Sequence, residues 1–160
     1  MSDNALPEQI QGPKRQEILS RFARQLEQWG LAMPPAEPLV IDFGLGEFCR
    51  VGLIEYWIAN EMDAGYCGKY LFLFDAQTCP AHSHRQKHET FFIVKGKVRM
   101  TVDGEVSVMN SGDVLVVSQG RVHSFAGVGD ALVLEVSTPS LVADNFFEDP
   151  VSAAWLKNIL

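Results

Sequence analysis

The chain has 160 residues, 47% of them hydrophobic, enough for one well-buried core and too few for two comfortable domains. Its net charge of −7 argues against nucleic acid as a partner, because phosphate binding needs a basic surface. No stretch approaches the roughly 20 apolar residues of a membrane span, and residues 1–11 hold no apolar run that would read as a signal peptide or lipid anchor.

Along the chain, Ile18, Leu19, Phe22, Leu26 and Trp29 fall at helical spacing between Pro13 and Gly30, which predicts an amphipathic helix over residues 14–29. Its apolar stripe is expected to cover an open barrel end or, alternatively, a second subunit. Three prolines between Ala32 and Pro38 predict an extended connector. From Leu39 onward, short segments rich in Val, Ile, Phe and Tyr alternate with Gly and Asp pairs, the pattern of an antiparallel sandwich or barrel. Val98, Met100 and Val102 alternate with Arg99 and Thr101; Asp103-Gly104 then supplies a turn, and Val106 and Val108 resume the alternation. Further strands are expected at residues 51–58, 67–74, 89–95, 113–117, 121–126 and 131–137. A short helix is expected over residues 151–160. The reading is one all-β domain at 39–150, preceded by a helix and connector at 1–38 and closed by a helix at 151–160. Cys49, Cys67 and Cys79 are odd in number and widely spaced, which predicts reduced thiols and a cytoplasmic protein rather than a disulfide framework.

The chemistry concentrates in His82-Ser83-His84, with Glu89 five residues on and Gly96 seven residues after that. On a strand, side chains at i and i+2 face the same way, so both imidazoles point to one side of the sheet. After a turn, Glu89 can return on the neighbouring strand toward the same interior. His123, at the start of a later strand, supplies a fourth ligand. Three neutral imidazoles and one carboxylate leave a divalent ion positively charged, with open positions for oxygen ligands. Mn²⁺, Fe²⁺, Zn²⁺, Ni²⁺ and Co²⁺ all suit such donors.

These spacings resemble the two motifs of the cupin superfamily. In the first motif Ala76 stands in place of the opening glycine; in the second, Gly112, Gly120 and His123 are present, with Ser118 for proline and Gly127 for asparagine. The resemblance covers about residues 65–140 and implies a single cupin, or jelly-roll, β-barrel. Tyr66-Cys67-Gly68-Lys69-Tyr70, the run from Gln77 through Pro80, His82, His84, Lys87 and Glu89, and Glu135-Val136-Ser137-Thr138 followed by Asp144-Asn145-Phe146 are similar to the D-lyxose isomerase family. That resemblance implies a metal-dependent aldose–ketose isomerase, a small sugar as substrate, Mn²⁺ as the first metal to try, and a homodimer.

The resemblance makes Glu135 the general base of an enediol route and Lys69 the group that positions a hydroxyl or stabilises the developing oxyanion. Alternation alone leaves the facing of Glu135 open, because Ala131 and Val133 on one face and Leu132 and Leu134 on the other are all apolar. Lys69 has a solvated-edge alternative. Gln77 either orients a substrate or water, or caps a strand. Lys87 is a further candidate for substrate contact, with His88 beside it in a turn, and Cys79 is read as structural. A cupin dioxygenase and a non-catalytic sugar-binding or sensing module are the competing readings. A phosphosugar isomerase ranks below the free-sugar enzyme, since its phosphate clamp would have to come from Lys69, Lys87, Arg99 and Arg121.

Overall fold

The computed structural model describes residues 10–160; the expectation of no leader over 1–11 falls mostly on residues 1–9, outside them. Helix α1 spans Gly12–Trp29 and ends at Gly30, whose φ of 65° lets its N–H reach back to the carbonyls of Leu26 and Glu27. Eleven strands follow. They are β1 (Leu39–Ile41), β2 (Leu53–Glu61), β3 (Tyr66–Leu73), β4 (Thr78–Ser83), β5 (Glu89–Lys95), β6 (Lys97–Val102), β7 (Glu105–Asn110), β8 (Val114–Val117), β9 (His123–Gly127), β10 (Ala131–Ser137) and β11 (Phe146–Phe147). A 3₁₀ turn at Val142–Asp144 precedes β11, and helix α2 (Pro150–Ile159) closes the chain, N-capped by the Asp149 carboxylate. None of the described helices is long and apolar enough to cross a membrane.

The strands form two antiparallel sheets, ordered β1-β2-β3-β10-β5-β8 and β11-β4-β9-β6-β7. No strand is shared between them, so the jelly roll is a two-sheet sandwich rather than a closed barrel. Its interior is filled by alternate residues from both sheets, among them Leu53, Leu71, Phe91, Met100, Phe125 and Val133. Two short strands were not delimited from the sequence: β11 has two residues, and β4 contains Pro80 and His82 but ends before His84.

Helix α1 does not cover an end of the sandwich, the placement favoured from sequence. It lies on the outer face of the six-stranded sheet, where Ile18 and Phe22 pack with Val40, Ile54, Phe72 and Leu132. The Phe22 ring meets Phe72 at 4.7 Å and Tyr56 at 5.6 Å between centroids. A sheet covered on both faces needs strands that are apolar on both faces. This explains β10: Ala131 and Val133 face the interior, whereas Leu132 packs in the outer cluster beneath the helix. Glu135 continues the Ala131–Val133 face and therefore points inward.

Candidate active site

Three strands bring the four predicted metal ligands together. His82 lies on β4, His84 just beyond it, Glu89 opens β5 and His123 opens β9, directly opposite His82 in the β4–β9 register. One nitrogen from each of His82, His84 and His123 falls within 4.8 Å of the others. Glu89 Oε1 lies 3.4 Å from His84 Nε2, and Oε2 lies 3.1 Å from His123 Nε2.

Each ring is held from behind by a main-chain carbonyl. His82 Nδ1 bonds to Pro80 O at 2.8 Å, His84 Nδ1 to Asp144 O at 2.9 Å and His123 Nδ1 to Arg121 O at 3.1 Å. With Nδ1 donating, each Nε2 presents a lone pair, which fixes the ligand tautomer. Burial, with His123 and His84 alongside, pushes the His82 imidazole well below its usual range, so it is neutral. Burial alone would raise the Glu89 carboxyl, but Lys87 and the His123 and His84 rings outweigh it and hold that carboxyl below the usual carboxylate range. His84 Nε2, His123 Nε2 and Glu89 Oε2 are buried without a hydrogen-bond partner. Acceptors converging in this way are reconciled by a cation, and this donor set fits a divalent ion.

A chain of buried charges leads away from these ligands. Lys87 donates to Glu89 at 2.8 Å and also contacts Glu135. The other Glu135 oxygen lies 3.5 Å from Lys69 Nζ, and beyond Lys69, at 3.6 Å, lies Glu55 Oε1. Register places Glu135 opposite Lys69 across the β10–β3 pair. Both lysines are therefore interior groups, which rules out the solvated-edge alternative for Lys69: Lys69 is 7% exposed and Lys87 3%. Burial alone would lower the Lys69 ammonium, but Glu135 and Glu55 more than offset this and raise it above the ordinary lysine value. A lysine made more basic by folding contributes stability that is complete below its unfolded pKa and is lost only as pH rises through the folded one. Lys69 is accordingly a cation across the neutral range.

These groups line a cavity with Leu71, Phe91 and Phe125 as its apolar wall. A second space adjoins it, shares Glu55, Lys69 and Asn145, and extends to Trp57, Ser140 and Trp155. Gln77 lines neither. It is fully buried, and its amide oxygen accepts from Phe74 N at 3.0 Å while its nitrogen donates to the Phe48 carbonyl. The substrate contact expected of Gln77 is thus replaced by a loop-fixing role. His88 is turned away toward Gln119. Arg121 pairs with Asp103 at 2.7 Å on the surface, and neither it nor Arg99 lines the cavity, which leaves a phosphosugar clamp only Lys69 and Lys87, both engaged with buried carboxylates. Cys79 is in the cavity wall; burial raises its thiol well above the usual range, in keeping with a structural role.

Two parts of the site were missed in the sequence. Glu55 alternates with Leu53 and Trp57 on one face of β2, a carboxylate on a core face that becomes visible once the facing is known. Asp144 accepts from the backbone N–H groups of Arg85, Gln86 and Lys87, at 3.0 Å for Arg85 and Lys87, and so shapes the loop between His84 and Glu89. Its distance in sequence from that loop hides the contact.

The Cupin domain model matches residues 72–137. The D-lyxose/D-mannose isomerase of Thermosediminibacter oceani is 31% identical over 168 residues, covering 86% of this chain and 92% of that protein. The D-lyxose ketol-isomerase of Cohnella laeviribosi is 31% identical over 173 residues, covering 88% and 93%. Among solved structures, Cellulomonas parahominis L-ribose isomerase with L-ribose shares the fold, with a TM-score of 0.74 over 94% of this chain and 98% of that one at 17% identity. Sequence relationship across nearly the whole chain and a buried histidine triad in a jelly roll lead to one assignment: the protein belongs to the D-lyxose isomerase family of cupin-domain proteins.

Proposed function

We propose that the protein is a metal-dependent aldose–ketose isomerase acting on a free sugar, such as D-lyxose/D-xylulose or D-mannose/D-fructose, through a cis-enediol. The observation that carries this reading is Glu135, a carboxylate 3% exposed, facing the same cavity as the His82 and His84 imidazoles and Glu89 and held between two lysines. A divalent ion, for which we take manganese first, would be held by His82, His84, Glu89 and His123 and would supply Lewis acidity to substrate oxygens.

The remaining work falls to the protein's own side chains. Glu135 removes the proton from carbon 2, and the C–H electron pair forms the carbon–carbon double bond of the enediol while the carbonyl oxygen gains a proton. Glu135 returns a proton to carbon 1, and the hydroxyl on carbon 2 gives up its proton, in place of the one gained at O1, as its oxygen becomes the ketose carbonyl, so nothing is consumed. Lys69 Nζ makes no hydrogen bond to the described residues, lying 3.5 Å from Glu135 and 3.6 Å from Glu55, so its N–H donors are available to a substrate oxygen as charge develops there. Lys87 keeps Glu135 in place by gripping it and Glu89 together. The apolar wall limits water, which protects the enediol.

The protein is also read as a homodimer. The outer face of the six-stranded sheet carries a row Val114–Phe92–Leu134–Tyr70 and a second row Val116–Thr90–Val136–Gly68, none of them charged. Val114, Val116 and Val136 are 59%, 48% and 51% exposed, and an uncharged apolar face suits a like face better than a charged partner. The free thiols of Cys67 and Cys79 support a cytoplasmic location.

The test is to strip the full chain with chelator, reload it with Mn²⁺, and follow a panel of free aldoses and ketoses by proton NMR. Interconversion of one aldose–ketose pair, lost on chelation, is the expected result. Tight metal binding with no conversion under Mn²⁺, Co²⁺, Fe²⁺ or Zn²⁺ would contradict the isomerase and favour a sugar-binding module.

A further inference from the structure

Glu55 has no part in the reaction just described, yet it is 8% exposed in the wall of the site. Its placement is specific. Trp57 Nε1 donates to Glu55 Oε2 at 2.9 Å, which fixes the carboxylate plane. Oε1 is left facing Lys69 Nζ at 3.6 Å, beyond hydrogen-bond distance, so an acceptor oxygen stands in the cavity with no hydrogen-bond donor among the described residues. A carboxylate shielded from water gains from a further donor. Glu55 borders both the inner cavity, with the histidines, and the outer space lined by Trp57, Ser140 and Trp155. Outward from the histidines, the charged groups run Glu89, Lys87, Glu135, Lys69 and Glu55. A sugar whose reacting carbons sit between the histidines and Glu135 therefore extends its remaining hydroxyls past Lys69 toward Glu55.

We propose that Glu55 is a specificity-determining residue, its Oε1 accepting a hydrogen bond from a sugar hydroxyl at the end remote from the metal ligands, with Trp57 holding it in position. This rests on the isomerase reading. A buried acceptor built to meet a hydroxyl discriminates against a substrate that lacks it, because the acceptor is then stranded without a donor.

The experiment compares a five-carbon aldose that the Mn²⁺-loaded full chain turns over with its 4-deoxy and 5-deoxy analogues, in the wild type, Glu55→Met and Trp57→Phe. The wild type is expected to favour the parent over one of the two analogues by roughly tenfold or more in kcat/KM, chiefly through KM. Glu55→Met should abolish most of that preference and Trp57→Phe part of it, since the latter removes only the indole donor. Equal losses on parent and analogues in Glu55→Met, or a wild type indifferent to both deletions, would overturn the assignment. If the wild type converts no sugar, the isomerase reading fails separately, and calorimetric titration with xylitol decides the role of Glu55. Weaker xylitol binding in Glu55→Met supports the proposal, and unchanged binding overturns it.

Discussion

Ala76 adopts a left-handed backbone, φ 59°, in the turn entering β4, a conformation that costs an L side chain about 1–2 kcal/mol. The residue is exposed, so its methyl group gives little packing in return. The glycine of the cupin motif at this position thus has a conformational reason, and alanine here keeps the turn under strain. Ala76→Gly is expected to stabilise the protein by about 0.5–1 kcal/mol in urea denaturation at fixed metal loading, after allowing for the greater freedom glycine gives the unfolded chain. A loss of stability would contradict the strain. Gly96, the glycine that closes the same motif, is required more strictly: at φ 77° any Cβ would collide with the Asp130 carbonyl. At this scale the histidines and Glu89 were legible because their spacing is local. The choice between the two readings of Gln77 was not legible, because its partners are the backbone groups of Phe48 and Phe74, which leave no mark on sequence.

At the scale of elements, the segment 85–88 that joins β4 to β5 determines how Glu89 returns to the histidines, and Asp144 determines that segment. Its carboxylate collects three N–H groups while its own carbonyl accepts from His84 Nδ1. Asp144→Ala should therefore weaken metal binding by roughly tenfold or more, the usual scale for losing support behind a ligand, measured by competition with a chelating dye. Affinity equal to the wild type would show that the loop holds its shape unaided. The strands themselves were largely readable: β6 and β7 follow alternation and a turn signal, and β3, β5 and β10 follow their runs of apolar and aromatic residues. The inward facing of Glu135 was not, since the outer face of β10 is apolar throughout: Leu132 is buried beneath α1, and Leu134 and Val136 beyond it are not polar either. A helix docked on a sheet erases the periodicity that reveals strand orientation.

The whole molecule is a sandwich with its reactive side chains in the interior and its larger sheet half covered. Helix α1 protects one part of that outer face, leaving Val114, Val116 and Val136 well exposed. If this is the dimer face, Phe92→Asp, which buries a charge at its centre, should convert a dimer to a monomer in sedimentation equilibrium; a wild type that is already monomeric would dismiss the interface. Length and strand texture made the all-β class legible, whereas the split into two separate sheets depends on long-range pairing that no local pattern records. The central claim is that Glu135 moves a proton between adjacent carbons of a bound sugar, and solvent exchange tests it most directly. The Mn²⁺-loaded wild type and Glu135→Gln would each be incubated with the converted sugar in D₂O, and deuterium at carbons 1 and 2 followed by NMR. The account predicts incorporation by the wild type and none above the uncatalysed rate by the variant with its metal still bound. Conversion without deuterium, or undiminished incorporation by Glu135→Gln, would contradict it.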